Sequence, residues 1–351
     1  MATGPSGSAS AAVEKLTPGG PATQARPGIS APAVSPIWGF IARRVLLGLV
    51  VLFLVSIVVF LATQGMGDPA RAILGRTATP ESLAALREQL HLNQPLIVQY
   101  ITWAGGLLHG DAGMSLAAQE PVTKLISDHV VNSAFLVLVS GSISIPLSIA
   151  IGSYAALRRD KAFDVAMSLI TLVFAALPEF VVGVLLVVLF ATTVLHVLPA
   201  VTIIPPGSGP WDDPAGLVLP TLTLVLAVTP YVARIMRASM IEVLESDYVE
   251  MARLKGLPER VVIIRHALPN ALGPTFQVIA LNLAYLAGGI IVVEYVFNYG
   301  GIGSALRDGV YNHDIPVIQA LAMLIAGLYV VLNLLADVAT ILVTPKLRTR
   351  L

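Results

Sequence analysis

The chain has 351 residues, of which 56% are hydrophobic and only 12% are charged, with acidic and basic residues in equal number. Soluble domains carry about 25% charged residues, so this composition favours one polytopic membrane domain over two soluble ones. Cysteine is absent, which excludes disulfides, thiolate catalysis and cysteine-ligated metals. The six histidines form no His-x-x-x-His pair, and this argues against a zinc site.

Residues 1–36 consist mostly of Gly, Ala, Pro, Ser and Thr and contain no hydrophobic run. Such a segment cannot bury enough apolar surface to offset the entropy lost on ordering. A cleaved signal peptide does not fit, because the first apolar stretch begins beyond residue 40 and is too long. We expect a disordered cytoplasmic tail over 1–36, followed by a transmembrane domain over 37–351.

Six stretches supply the roughly 20 apolar residues that a helix needs to cross a bilayer. They are about 45–63, 130–157, 165–194, 215–233, 271–293 and 315–343. Backbone groups in lipid must be hydrogen-bonded internally, so we predict an all-α integral membrane bundle of six spans. Pro146, Pro178 and Pro230 fall inside spans and are expected to kink their helices rather than end them.

Lysine and arginine are concentrated on one side of these spans. Sixteen lie before span one, after spans two and four, or after span six, whereas the short loops 195–214 and 294–314 hold only Arg307. Because cytoplasmic segments carry the excess of these residues, both termini are predicted to be cytoplasmic, in a multi-pass protein of the cell inner membrane.

The loop over 64–129 carries helical patterns of its own and is predicted to be an extracytoplasmic subdomain. Thr79-Pro80-Glu81 is typical of a helix start. An amphipathic stretch around Tyr100 and Trp103 suits the outer membrane interface. Two compatible roles remain open: a cap packed on the bundle, and a docking surface or gate for an extracytoplasmic partner.

The connection between spans four and five, residues 246–270, reads SDYVEMARLKGLPERVVIIRHALPN. Asp247 and Glu250 resemble a capping box, and Gly256 suits a left-handed helix end. Pro258 can occupy the first turn of a second short helix, which Leu268-Pro269 would end. We predict two short helices joined at glycine, and we call residues 246–270 the elbow.

A small-residue surface at Ala252 and Gly256 would let another protein approach the elbow closely. The nearby cations Arg253, Lys255 and Arg260 are also what a plain cytoplasmic loop would carry. That plain reading explains the charges but not the helix–glycine–helix pattern, and the residues alone leave both readings open.

The elbow resembles the EAA loop of binding-protein-dependent ABC importer permeases. That pattern is Glu-Ala-Ala, three residues, Gly, nine residues, then an apolar residue, any residue and Leu-Pro. Here Glu250-Met251-Ala252 stands at the first positions, Gly256 follows at the expected spacing and Leu268-Pro269 closes the motif, although Met251 departs from the usual small residue. The resemblance implies an ATPase-coupling loop made of Asp247, Glu250, Ala252, Arg253, Lys255, Gly256, Leu257, Pro258, Arg260, His266, Leu268 and Pro269.

Further segments resemble the dipeptide and oligopeptide branch of this family, specifically the first of its two permease subunits. They are Arg43-Arg44-Val45-Leu46, Gly67-Asp68-Pro69-Ala70, Leu92-Asn93-Gln94-Pro95-Leu96, Gln99-Tyr100, Trp103, Gly110-Asp111, Gly113, Ser115, Val293-Glu294-Tyr295-Val296-Phe297, Gly300-Gly301-Ile302-Gly303 and Asp314-Ile315-Pro316-Val317-Ile318-Gln319. The resemblance runs from about residue 40 to the C-terminus.

This resemblance implies the six-helix importer permease fold and a non-catalytic membrane subunit that forms half of a translocation pathway. It also implies a heterodimer with a second, homologous permease subunit, two cytoplasmic ATPase subunits that bind ATP and magnesium, and an extracytoplasmic peptide-binding protein. We expect no cofactor in this chain, contact with membrane lipid and no nucleic-acid partner. An importer for nickel, glutathione or an oligosaccharide is the alternative within the family.

The sequence holds no Gly-x-x-x-x-Gly-Lys-Ser/Thr phosphate loop, so the energy is expected to come from a partner. A stand-alone channel or ion-coupled transporter is the rival of another class, but the spans lack the serial carboxylates of a proton relay. An intramembrane acid costs about 2.5–3.5 kcal/mol on insertion scales, so Glu179 is expected to face the bundle interior.

Glu179, Asn282 and Glu294 are the candidate pathway residues. Glu179 is alternatively a structural group at the Pro178 kink, and Asn282 is expected to form hydrogen bonds between helices. Asp337 is expected to fix span six against its neighbours.

Overall fold

The computed structural model describes residues 36–74, 78–89, 92–205 and 207–343, and these ranges are helical apart from connecting turns and one isolated bridge. The α-helices are α1 (Pro36–Gln64), α2 (Pro69–Leu74), α3 (Pro80–Gln89), α4 (Leu96–Leu108), α5 (Val122–Leu157), α6 (Ala162–Ala176), α7 (Glu179–Val187), α8 (Pro214–Leu244), α9 (Asp247–Leu254), α10 (Glu259–Val261), α11 (Leu268–Val296), α12 (Ile302–Tyr311) and α13 (Ile315–Val343). Short π-helical turns at Val188–Thr192 and Val262–Ala267 extend α7 and connect α10 to α11. The predicted tail lies outside the described residues except for Pro36, which begins α1.

Four helices, α1, α5, α8 and α13, are long and apolar enough to cross a membrane. Two further pairs of helical segments are long and apolar enough when each pair is taken together. These are α6 with α7, with a bend of 104° between them, and Glu259–Leu283 with Gly288–Val296, with a bend of 55°. If each pair forms one span, the described part of the chain has six. The all-α membrane bundle predicted from the sequence is confirmed.

The prolines behave differently from one another. Pro146 and Pro230 lie inside continuous helices, as predicted. The expectation for Pro178 is wrong, because α6 ends at Ala176 and α7 begins only at Glu179. A residue before proline is pushed out of the helical region, and Leu177, at ψ 132°, is extended.

The core forms where α5, α7, α8 and α11 meet, around buried residues such as Leu136, Val182, Leu224, Leu286 and Phe297. Among the four long spans α8 is the most enclosed and α1 the least: 67% and 11% of their most apolar segments are buried. The outward side chains of α1 are apolar, as a helix facing lipid requires.

The bundle has two ends, which we name by the connections they carry. At the elbow end, Arg159 after α5 pairs with Glu245 after α8. At the loop end lie α2, α3, α4, α12 and the turns beside them. Helix α5 begins at Val122, several residues before the predicted span, so 122–129 extends the span helix rather than the loop.

The loop end contains the helices predicted within 64–129. Thr79 and Ser82 cap α3 reciprocally: the Ser82 N–H donates to Thr79 Oγ1 at 3.2 Å and the Thr79 N–H to Ser82 Oγ at 2.9 Å. Helix α4 packs on α1, where the Tyr100 ring meets Phe60 edge-on with ring centroids 5.4 Å apart. The opposite face of α4 is apolar and exposed, as a helix at a membrane interface would be.

Candidate coupling elbow and pathway residues

The first half of the elbow is α9, which leaves α8 after a short turn. Its N-cap is Ser246, whose hydroxyl donates to the Val243 carbonyl, and no side chain caps the first turn. The predicted capping box is therefore wrong. Asp247 and Glu250 instead place acidic side chains in the first turn, where the helix dipole favours negative charge.

Gly256 ends α9 in the left-handed conformation that the sequence predicted, at φ +76°. The Gly256 N–H donates to Arg253 O at 2.9 Å and the Leu257 N–H donates to Ala252 O at 3.4 Å. These two bonds are the Schellman pattern, in which a left-handed residue satisfies the last carbonyls of a helix.

The second half of the elbow is continuous with the fifth span. Pro258 caps α10, a π-helical turn over Val262–Ala267 follows, and α11 begins at Leu268. The prediction that Leu268-Pro269 ends the second helix is wrong. Pro269 lies in the first turn of α11, and the π turn takes up the irregular hydrogen bonding around it. The second half of the elbow is thus continuous with α11, the fifth span.

The two faces of α9 differ in what they contact. Val249 and Ala252 point inward and pack against Val262 of the second half, so the elbow has a small core of its own. Ala252 is only 6% exposed, and this corrects the expectation that it forms part of a contact surface. The outer face presents Tyr248 and Leu254, and Leu254 is 74% exposed.

Arg253 links the two halves of the elbow across the Gly256 turn. Its guanidinium donates to the Glu259 carboxylate at 2.8 and 3.2 Å and contacts the Leu244 carbonyl at 3.5 Å. The hydrogen bond that Arg253 donates to the Glu259 carboxylate raises the pKa of the Arg253 guanidinium. Lys255 and Arg260 are exposed beside the turn, whereas His266 is half-buried and its carbonyl accepts from Asn270.

Below the elbow, one contact connects it to α8, and a second contact connects α8 to α6. Met236 and Met240 of α8 pack against Ala267 and Ala271 at the start of the fifth span. Arg237 of α8 donates to the buried Asp164 of α6, with Nη2 and Oδ2 2.7 Å apart. A displacement of the elbow would therefore be transmitted to α11, α8 and α6.

The sequence suggested Glu294 for the pathway, and the structure buries its side chain among neighbouring residues. It is fully buried at the end of α11, where it accepts hydrogen bonds from Ser133 Oγ and from the Gly303 N–H, the latter at 2.6 Å. Ser133 Oγ in turn accepts from the Ile302 N–H at 2.8 Å. Glu294 thus joins α5 to the start of α12.

Glu179 and Asn282 have different surroundings. Glu179 begins α7, is half-buried, and accepts a hydrogen bond from the Tyr285 hydroxyl of α11. Asn282 donates to the Val278 carbonyl at 2.9 Å, so this bond lies within its own helix and is not the interhelical one expected. Asp337 pairs with Arg44 of α1 at 3.1 Å, which confirms that it fixes span six.

One buried cluster of polar groups at the loop end was not predicted from the sequence. Asp314 precedes α13 and is buried, and it receives hydrogen bonds from Ser115 Oγ and from the backbone N–H groups of Leu116 and Ala117. Both partners belong to segments noted for their family resemblance. Because polar residues in two such segments can pair in the fold, the sequence did hold an indication of this contact.

Together, the long apolar helices and an elbow continuous with the fifth span define an integral membrane protein. The chain belongs to the family described as "Binding-protein-dependent transport system inner membrane component", which matches residues 148–349. The N-terminal component of the same systems matches residues 37–134. It is accordingly a multi-pass inner-membrane permease subunit with the all-α importer permease fold.

Three relatives place the chain within this family. The "Probable peptide ABC transporter permease protein y4tP" of Sinorhizobium fredii (strain NBRC 101917 / NGR234) is 37% identical over 311 residues, 88% of this chain and 99% of the relative. A "Putative peptide transport system permease protein" of Brucella abortus (strain 2308) is 34% identical over 88% of this chain and 98% of the relative. The "Glutathione transport system permease protein GsiC" of Escherichia coli (strain K12) is 36% identical, with the same coverage.

Proposed function

We propose that the chain is the permease subunit of an ATP-driven importer of dipeptides and oligopeptides. It forms half of the translocation pathway together with a second, homologous permease subunit. Two cytoplasmic ATPase subunits bind ATP and magnesium, and an extracytoplasmic binding protein delivers the peptide. This chain then supplies no catalytic group.

The elbow is the observation that carries this proposal. Its outer face exposes apolar side chains at Tyr248, Met251 and Leu254, while its inner face is packed against Val262. A two-sided helix of this kind can bind a groove on another protein without unfolding. Because the second half continues into α11, a push on α9 is transmitted to a membrane span.

The proposal also fixes the orientation. Residues 246–270 form the cytoplasmic coupling loop, 64–129 the extracytoplasmic subdomain, and both termini are cytoplasmic, with 1–36 a tail outside the membrane domain. The cation distribution supports this arrangement, since Lys255, Arg260 and Arg265 all lie in the elbow.

Single-cysteine labelling tests orientation and docking together, because the chain has no cysteine of its own. Leu254→Cys lies on the elbow, and Leu108→Cys, 87% exposed at the end of α4, is the matched control at the other end. In intact cells a membrane-impermeant maleimide should label only Leu108→Cys. A cysteine-reactive photocrosslinker should join Leu254→Cys, but not Leu108→Cys, to an ATP-hydrolysing subunit. Labelling of Leu254→Cys from outside the cell would reject the proposal.

The transported solute is tested with the complete importer in proteoliposomes. ATP-dependent uptake of unblocked dipeptides to hexapeptides should exceed uptake of Ni²⁺ or an oligosaccharide. Glutathione is included because the glutathione permease is about as similar to this chain as the peptide permeases are. Uptake of glutathione alone would restrict the solute to that compound.

A further inference from the structure

A broken span and a bent span meet at a partly exposed face of the bundle. The break between α6 and α7 falls at Leu177-Pro178, and the bend in α11 falls between Leu283 and Gly288. Gly289 brings them together: a Cβ added there would lie 2.9 Å from Glu179 Oε1 and 3.6 Å from Tyr285 Cε1. Interrupted helices often frame the solute sites of transporters, because the backbone there can be irregular only where it lines a cavity or is buried in protein.

The Glu179 carboxylate lies where these two spans meet, and it can accept more hydrogen bonds than it receives from the described residues. An ionised carboxylate can accept about four hydrogen bonds. The one side-chain bond found for Glu179 in the described part of the chain comes from the Tyr285 hydroxyl. None of the ion pairs among the described residues includes Glu179. An intramembrane acid is normally paired, and no described residue of this chain forms an ion pair with Glu179, so its carboxylate can bind a cation from outside the described part of the chain.

The group is also accessible from the surface. Tyr285 is 54% exposed, and Leu281, one turn before it in α11, is exposed as well. On the other side of the break, the Tyr231 hydroxyl of α8 donates to the Ala175 carbonyl at 3.2 Å, which satisfies the end of α6. The break is therefore held in place by Tyr231, whose side chain is itself 43% exposed, and Tyr285 faces outward. A lone carboxylate facing lipid is unfavourable, which favours a water-filled path along this face.

We propose that Glu179 and Tyr285 form a mid-membrane site that binds the protonated amino group of the transported peptide. Every unblocked peptide carries this cation whatever its side chains, so the site would not select by sequence. An ammonium group has three donors, enough to reach the free oxygen of Glu179 while it lies against the Tyr285 ring. This inference rests on the proposed peptide importer function.

The charge of the site can be measured without transport. In the complete importer, Leu281→Cys is treated with cationic and anionic methanethiosulfonates of similar size, and modification of this chain is followed by mass spectrometry. The half-buried Glu179 carboxylate should favour the cationic reagent, and Glu179→Gln should lower the ratio of the two rates about threefold. Glu179→Asp should preserve the ratio. Asp337→Asn is the matched control, because it removes the Arg44-paired intramembrane acid instead.

Two results of this labelling would overturn the site. An unchanged ratio in Glu179→Gln would mean that a proton or a cation of the second permease subunit already neutralises the carboxylate. A Leu281→Cys that reacts with neither reagent would mean that no water reaches this face.

Transport separates the site from the function that it serves. Glu179→Gln should raise the KM for uptake of an unblocked tripeptide about tenfold, as loss of a charged hydrogen bond implies, with Glu179→Asp close to wild type. An unchanged KM and kcat would overturn the amino-group site but leave the peptide importer intact. If the wild-type complex carries no peptide, the proposed function itself fails, whatever the labelling ratio shows.

Discussion

Ser115 and Asp314 lie 199 positions apart in the sequence, yet the Ser115 hydroxyl donates a 2.5 Å hydrogen bond to the Asp314 carboxylate. The same carboxylate accepts from the N–H groups of Leu116 at 3.1 Å and Ala117 at 3.2 Å. A buried carboxylate with three donors holds the turn before α5 against the residue that precedes α13. The loop end is thereby joined to span six through one side chain.

Asp314→Asn should loosen that turn, because an amide presents one acceptor oxygen where the carboxylate presents two. We expect a loss of stability of about 2 kcal/mol, the range for hydrogen bonds to charged groups. Protease cleavage within 112–121 of the purified protein in detergent should become faster. Asp308→Asn is the control, since Asp308 is exposed and its ion pair within the described ranges is with the adjacent Arg307. Equal cleavage of the two variants would contradict the role assigned to Asp314.

Gly303→Ala should disrupt the junction around Glu294. The added Cβ would lie 2.8 Å from the backbone of Ile291 and 2.9 Å from Glu294 Oε2, and a backbone cannot give way as a flexible side chain can. Overpacking of this kind costs about 1–3 kcal/mol. Thermal unfolding in detergent should shift to lower temperature. Gly273→Ala in the same helix as Glu294 is the control, because its Cβ meets nothing within 4 Å.

Gly256→Ala should strain the turn of the elbow, where φ is +76°. A left-handed conformation costs a residue with a Cβ about 1–2 kcal/mol. Because that strain displaces α9 relative to α10, the coupling of ATP hydrolysis to transport should fall in the complete importer while the membrane domain stays folded. The ratio of peptide transported to ATP hydrolysed is the measurement. Gly327→Ala, in open space within α13, should leave the ratio at its wild-type value. Wild-type coupling in Gly256→Ala would exclude a rigid elbow.

Asp164→Asn should separate α6 from α8 by removing the partner of Arg237. Breaking a buried ion pair costs about 3–5 kcal/mol, but the Arg237 side chain is partly exposed, so a loss of about 2 kcal/mol is expected. A double-mutant cycle with Arg237→Gln, measured by unfolding in detergent, should show a coupling energy above about 1 kcal/mol. Additive effects would mean that the two residues act independently.

The spans and the elbow could be predicted because each depends on local pattern. Long apolar runs predict membrane helices, and Gly256 followed by Pro258 predicts a helix end and a new start. The break at Pro178 was misjudged, since a proline inside a span can either kink or end a helix, and neighbouring contacts such as the bond from Tyr231 to Ala175 influence which occurs.

Contacts between residues that lie far apart in the chain could not be predicted from the sequence. Nothing in the pattern around Glu294 says that Ser133 and Gly303 will surround it, so an acid near a span end was equally compatible with a pathway. Ala252 was misplaced for a related reason. A small residue permits close approach, but the sequence does not say whether the approaching group is a partner protein or, as found, Val262 of the same elbow.

The unbroken stretch from Glu259 to Leu283 is about 37 Å long at 1.5 Å per residue. A tilt of about 5° around its base would swing the far tip by about 3 Å, which is the length of one hydrogen bond. That tip is adjacent to Tyr285. If the proposed ATPase partner displaces the elbow, a tilt of this size is large enough to make or break the hydrogen bond between Tyr285 and Glu179.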